Sequence, residues 1–199
     1  MADSIDGLLA SDEFRNSGWA RVASIAWDAA QMTVDVAIDA GQGGPTRARW
    51  RVTCTGVREY RICDANGGGL KMSGHDHPAV RQYLDLHGRL RMESPPKDAN
   101  AIVGPLWLGH RRLVDDWIEF DRYMKLPFEA SGVIAEGPRF LLVEYAAILR
   151  TQSLNATWIP LASKVKSRAA DLSMLHFGAS YVIAEKFSAA RVEQDPNHG

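Results

Sequence analysis

Residues 31–55 read QMTVDVAIDAGQGGPTRARWRVTCT, and the alternation within them decides the fold. Met32, Val34, Val36 and Ile38 occupy every second position, with Thr33, Asp35, Ala37 and Asp39 between them. Side chains of a strand point alternately to its two faces, so this spacing predicts a half-buried strand over 31–39. Gly41-Gln42-Gly43-Gly44-Pro45 supplies a loop. The alternation then resumes over 46–55, with Ala48, Trp50, Val52 and Cys54 on one face and Arg47, Arg49, Arg51 and Thr53 on the other.

The pattern extends in both directions. Residues 19–27 are rich in Val, Ile and Trp and read as a strand, joined to the next through a turn at Asp28-Ala29-Ala30. Gly56 interrupts the chain before a strand at 57–63, and the turn Asn66-Gly67-Gly68-Gly69 leads into a short strand at 70–73. Residues 19–73 are therefore an antiparallel meander. Residues 1–17 form a short helix or an ordered tail that docks weakly.

The middle of the chain is helical. Asp76-His77-Pro78 starts a helix over about 78–86, with Asp76 near the cap and Pro early in the first turn. A strand is expected at 89–93. Gly104-Pro105 and Gly137-Pro138 each open a helix, over 105–114 and 138–151, because Pro suits the first helical position. Asp115-Asp116 caps a further helix over 116–124. In the 138–151 helix, Leu141, Leu142, Tyr145, Ile148 and Leu149 share one stripe. Strand character returns at 156–161 and 172–177, Gly178-Ala179-Ser180 is a turn, and 181–187 is a pairing strand or, alternatively, a helix. Residues 193–199 are expected to be a frayed tail.

The expected fold is α+β. Its largely antiparallel sheet is the N-terminal meander with the C-terminal hairpin as a candidate addition, covered on one side by about four helices. Residues 1–199 are read as one domain, and the proline break at 94–98 is the best candidate for a boundary.

Composition narrows the function classes. A chain of 199 residues that is 46% hydrophobic and 24% charged is globular and can bury a core. A net charge of −1 gives no case for nucleic-acid binding by bulk charge. The charge is uneven, net −5 over 1–43 and net +5 over 44–91. These blocks either complement each other within one fold or present two surfaces to partners. Two cysteines, Cys54 and Cys63, are too few for a disulfide framework and lack zinc-site spacing. With an acidic N-terminus and no apolar run of membrane-spanning length, the expectation is a cytoplasmic, soluble protein without a membrane partner.

Three clusters bear chemistry. His75 and His77 flank Asp76, and on an extended segment two imidazoles at this spacing project to one side and suit a zinc or other divalent ion. A third ligand is needed, and His87, His110 and His176 are unanchored candidates. The plainer reading places the histidines in a helix entry loop. Arg47, Arg49 and Arg51 form a ladder of planar donor forks suited to phosphates or carboxylates, or else a solvated face paired with acids such as Asp35 and Asp39. Glu185 shares a face with Tyr181, Ile183 and Phe187 if 181–187 is a strand, and an acid there is costly unless paired or functional. His110 reads as a satisfied buried histidine on its helix stripe.

The preferred function is a non-enzymatic interaction protein, antitoxin-like or accessory, holding a protein partner through its Trp and Arg side chains and needing no cofactor. The first alternative is a metal-assisted hydrolase on His75 and His77, with Glu185 or Asp76 as base. The second is a binder of a small anionic ligand.

Overall fold

The computed structural model describes residues 4–17, 19–28, 30–63, 67–125, 131–161 and 171–192. In chain order the elements are α1 (Ile5–Ala10), α2 (Asp12–Ser17), β1 (Trp19–Asp28), β2 (Gln31–Asp39), β3 (Thr46–Thr55), β4 (Glu59–Arg61), β5 (Leu70–Ser73) and α3 (Pro78–Leu84). They continue as β6 (His87–Met92), α4 (Ala99–Val114), β7 (Gly132–Pro138), α5 (Arg139–Thr151), β8 (Ala156–Pro160), β9 (Ser173–Phe177), β10 (Ser180–Ala184) and β11 (Lys186–Val192). The class is α+β, as the alternation predicts, with three antiparallel sheets. Among the described residues no helix is long and apolar enough to cross a membrane.

The chain divides into two compact units, Met1–His75 with Ala170–Gly199, and Asp76–Ala169. The proline break at 94–96 lies inside the second unit, between β6 and α4.

The first unit holds two sheets, ordered β1-β2-β3-β11 and β4-β10-β9-β5. Their inner rows meet in one core: Met32, Val34, Val36, Ile38, Trp50, Val52 and Cys54 from the first, and Leu70, Leu175, Phe177 and Val182 from the second. Burying each such side chain contributes about 1.5–3 kcal/mol. Leu8 of α1 joins them. β1 crosses the second sheet from edge to edge, bridged by Ala20 to Gly68 just before β5 and touching Tyr60 of β4 through Trp27. Two irregularities reset its neighbours. Val22 pairs with Val36 but Ser24 pairs with Asp35, so Ala23 is an extra residue in β1. Ile38 pairs with Ala48 but Asp39 pairs with Thr46, so Arg47 is extra in β3.

The C-terminal strands do not simply extend the meander. β9 and β10 form a hairpin between β4 and β5, and β11 then pairs with β3. The segment 181–187 is strand, split at Glu185 where the chain changes sheet. Ala29 and Asn66, in two of the expected turns, and the tail 193–199 lie outside the described residues.

The second unit packs helices on the sheet β7-β6-β8. The expected helical cover therefore belongs to this sheet and not to the meander, whose inner face is closed by the second sheet of its own unit. Leu141, Leu142, Tyr145 and Leu149 of α5, with Ile102 and Leu106 of α4, fill the core. Helix α4 begins six residues earlier than Pro105, where Asp98 accepts the Asn100 amide at 2.9 Å. Pro105 sits inside the helix and cannot donate to the Ala101 carbonyl, a defect of about 3 kcal/mol outweighed by the buried stripe on either side of it. The helix expected over 116–124 is only a 3₁₀ turn at Phe120–Arg122. Its backbone is engaged elsewhere: Tyr123 accepts from Glu136 and Lys125 donates to Ile134, pinning the segment to β7.

Candidate functional site

The outer face of the first sheet carries the groove that best answers the arginine pattern. It has a volume of about 410 Å³ and is lined by Arg21, Ala23, Ser24, Asp35, Val36, Arg49, Arg51 and Val192. Strand register explains the grouping. Arg21, Ala37 and Arg49 lie in one cross-strand row, and Ser24, Asp35 and Arg51 in the next.

Each polar group in the groove has a definite partner, with one exception. Arg51 grips Asp35 with two donors, Nε to Oδ1 at 2.8 Å and Nη2 to Oδ2 at 3.3 Å, and the Ser24 hydroxyl donates to Oδ2 at 2.9 Å. The bond from Arg51 holds the Asp35 carboxyl below its ordinary value, and the charge of Arg49 adds to this. Arg51 is held above its own ordinary value by the same carboxylate. Arg21 donates to Asp39 at 3.1 Å, while Thr46 donates to the other oxygen of Asp39 at 2.8 Å. Arg49 has no ion pair among the described residues. It is a planar fork of donors at the mouth of a groove, available to a carboxylate or phosphate. Arg47 is exposed and likewise without an ion pair among the described residues, but as the extra residue of its bulge it lies outside the groove lining. Trp50 faces the core, as the alternation predicts. The ladder thus contributes Arg49 and Arg51, and the structure adds Arg21. Only the pairing of β1 with β2 reveals Arg21, because its own strand loses simple alternation at Ala23.

A second arginine-lined hollow of about 390 Å³ lies in the other unit, bordered by Arg81, Asp85, Leu113, Arg139, Phe140 and Val143. Here Arg81 stacks over the Phe140 ring at 4.6 Å and Arg139 over Trp158 at 5.3 Å. Asp85 accepts the Phe140 amide at 2.7 Å, occupying the first turn of α5 with a carboxylate of the chain itself.

The other candidates fare differently. His75 is exposed and closes the first unit; Asp76 is exposed and opens the second. His77, not Asp76, caps α3, its Nδ1 accepting the Ala79 amide at 3.3 Å while its ring stands edge-on to Trp117 at 4.8 Å. Among the described residues no group of three His, Cys, Asp or Glu is gathered to hold a metal. Glu185 does not lie on a dry face. It sits exposed at the corner between β10 and β11, paired with Arg58 at 2.5 Å, and Tyr181 and Phe187 belong to strands of different sheets. Gly56, at φ +67°, leaves the room that the Glu185 side chain fills.

His110 is 1% exposed and fully engaged. Its Nε2 donates to the Ile118 carbonyl at 2.6 Å, so Nδ1 accepts from the Tyr145 hydroxyl at 2.7 Å. Burial pushes its pKa below the ordinary value of 6.5 and pushes that of Tyr145 up. His87 bonds to the Gln82 carbonyl at 2.8 Å. His176 reaches Ser73 Oγ at 2.8 Å, a contact the sequence did not reveal. A nucleophile needs room for a carbonyl beside it. Ser73 is half-buried and shares its cross-strand row with Met174 and Ile183, both fully buried. Cys54 is buried and its thiol is pushed up to about 12 by burial, which leaves it inert as a nucleophile. No family model, no curated protein and no solved structure matches the chain.

Proposed function

We propose that this protein acts by binding and not by catalysis, holding an acidic segment of a protein partner on the arginine face of its first sheet. The observation that supports the reading is Arg49, a guanidinium without an ion pair among the described residues, lining one groove with Arg21 and Arg51. Arg21 and Arg51 are held in place by Asp39 and Asp35, so less side-chain freedom is lost when an anion arrives. A glutamate-rich decapeptide, followed by fluorescence anisotropy, tests it. Binding that weakens with salt and falls roughly tenfold or more in Arg49→Glu supports the reading. No binding, or binding untouched by Arg49→Glu, overturns it.

The groove's volume of about 410 Å³ favours a second reading, a small anionic ligand bound alone. Thermal shifts with inorganic phosphate, a nucleotide and a dicarboxylate separate the two, because ligand binding to the folded state raises its melting temperature. Stabilisation by such compounds, with none by the peptide, favours the small ligand.

A further inference from the structure

Among the described residues the outer edge of β1 is uncovered beyond Ala20. Among the described residues β2 is the only strand paired along β1, apart from the single bridge at Ala20. Ser24, Ile25, Ala26, Trp27 and Asp28 are all exposed. The run Val22–Trp27 contains no charge, no Pro and no Gly. Edge strands normally carry Lys, Pro or inward charges that stop another chain from pairing with them. Here only the bulge at Ala23 does so, and beyond it the strand is regular. On the inner side of the edge, Trp27 is 55% exposed and Tyr60 49% exposed, their rings 5.4 Å apart. Rings of this size left in water at a sheet edge mark an interface.

We infer that this edge pairs with β1 of a second copy, so that the first sheet runs continuously through a twofold dimer. Antiparallel pairing about a twofold axis sets each face against the same face, so opposed residues are an even number of positions apart. Within Ser24–Asp28 such an axis passes through Ile25, Ala26 or Trp27. Only the register centred on Ala26 uses all five residues. It sets Ala26 against Ala26, Ile25 against Trp27 and Ser24 against Asp28. The smallest side chain then lies on the axis, apolar groups meet apolar groups, and the two Asp28 carboxylates stay apart. This self-complementarity favours a second copy over another chain, since the four residues Ser24–Trp27 carry no charge to select a different partner.

The test uses the full chain in a Cys63→Ser background, because Cys63 is exposed. Ala26→Cys is oxidised and compared with Leu108→Cys, at a site 63% exposed in the other unit. Directly opposed residues bring their Cβ atoms within disulfide reach, so the Ala26→Cys dimer should form roughly tenfold faster than the Leu108→Cys dimer. Light scattering on the unaltered protein at high micromolar concentration should give twice 21.9 kDa, and Ile25→Lys should return it to one chain. A single-chain mass, a dimer untouched by Ile25→Lys, or cross-linking no faster than at Leu108 overturns the inference. If Ile25→Lys fails to fold, the cross-linking comparison alone decides.

Discussion

The two arginine-lined hollows are nearly equal in volume, yet they treat charge in opposite ways. In the sheet groove, acids from neighbouring strands hold two guanidiniums and, among the described residues, leave Arg49 without one. In the helix-end hollow, the chain supplies its own anion: Asp85 sits on the Phe140 amide where a ligand would otherwise go, and both arginines lie over aromatic rings. The interior of the second unit shows the same closure, with His110 satisfied on both nitrogens. A cluster of cations is therefore a poor sign of a binding site by itself. What distinguishes one is a donor that the fold does not use.

The largest expected effect tests that closure. His110→Ala strands the Tyr145 hydroxyl and the Ile118 carbonyl, each costing about 1–3 kcal/mol when buried without a partner. Urea unfolding should show a loss of about 3 kcal/mol. A loss of only a few tenths would show that the second unit is looser than described. The same residue makes stability depend on pH. Its folded pKa lies below its unfolded value of 6.5, so the contribution of the neutral ring is complete above 6.5 and is lost as pH falls through the folded value. Unfolding between pH 7.5 and pH 5, about the range in which histidine titrates, should show this decline. His110→Gln should flatten it.

Asp85→Ala comes next. It uncaps α5 at a cost of about 1 kcal/mol and opens the second hollow to anions. Inorganic phosphate should then stabilise the variant but not the parent, as measured by thermal shift. Equal responses would break the contrast between the hollows. Arg51→Ala should have the smallest effect on folding, under about 1 kcal/mol, because the pair it breaks is half exposed. Asp35 then loses its main support. The stability it contributes above its unfolded pKa, and surrenders as pH falls through the folded value, should shrink when acid unfolding is followed by circular dichroism.

Much of this was legible in the sequence. Alternation over 31–39 and 46–55 placed Val36 and Trp50 inside and Arg49 and Arg51 outside, because a sheet with one buried face writes a period of two into its strands. Asp35 was identifiable as a partner of the ladder for the same reason. The separation into three sheets was not legible, since nothing local in LSMLHF says which edge it will join. The non-local cap of Asp85 on Phe140 joins residues 55 positions apart and has no sequence signal. The start of α4 was misplaced because Pro105 reads locally as a beginning, whereas burial of Ile102 and Leu106 carries the helix through it. Arg47 was grouped with its neighbours because a bulge cannot be counted in advance.

Ala23 has an outcome larger than its size. One additional residue shifts the phase of β1, so Arg21 and Ser24 look the same way although three positions separate them. Deleting it would leave Arg21 and Trp27 five positions apart, so a regular strand would still point them to opposite faces; regular pairing with Ala23 kept would set both on one side. In that case either the guanidinium or the indole would have to turn over, so it is the bulge, and not the length of the strand, that keeps surface and interior apart along half of β1.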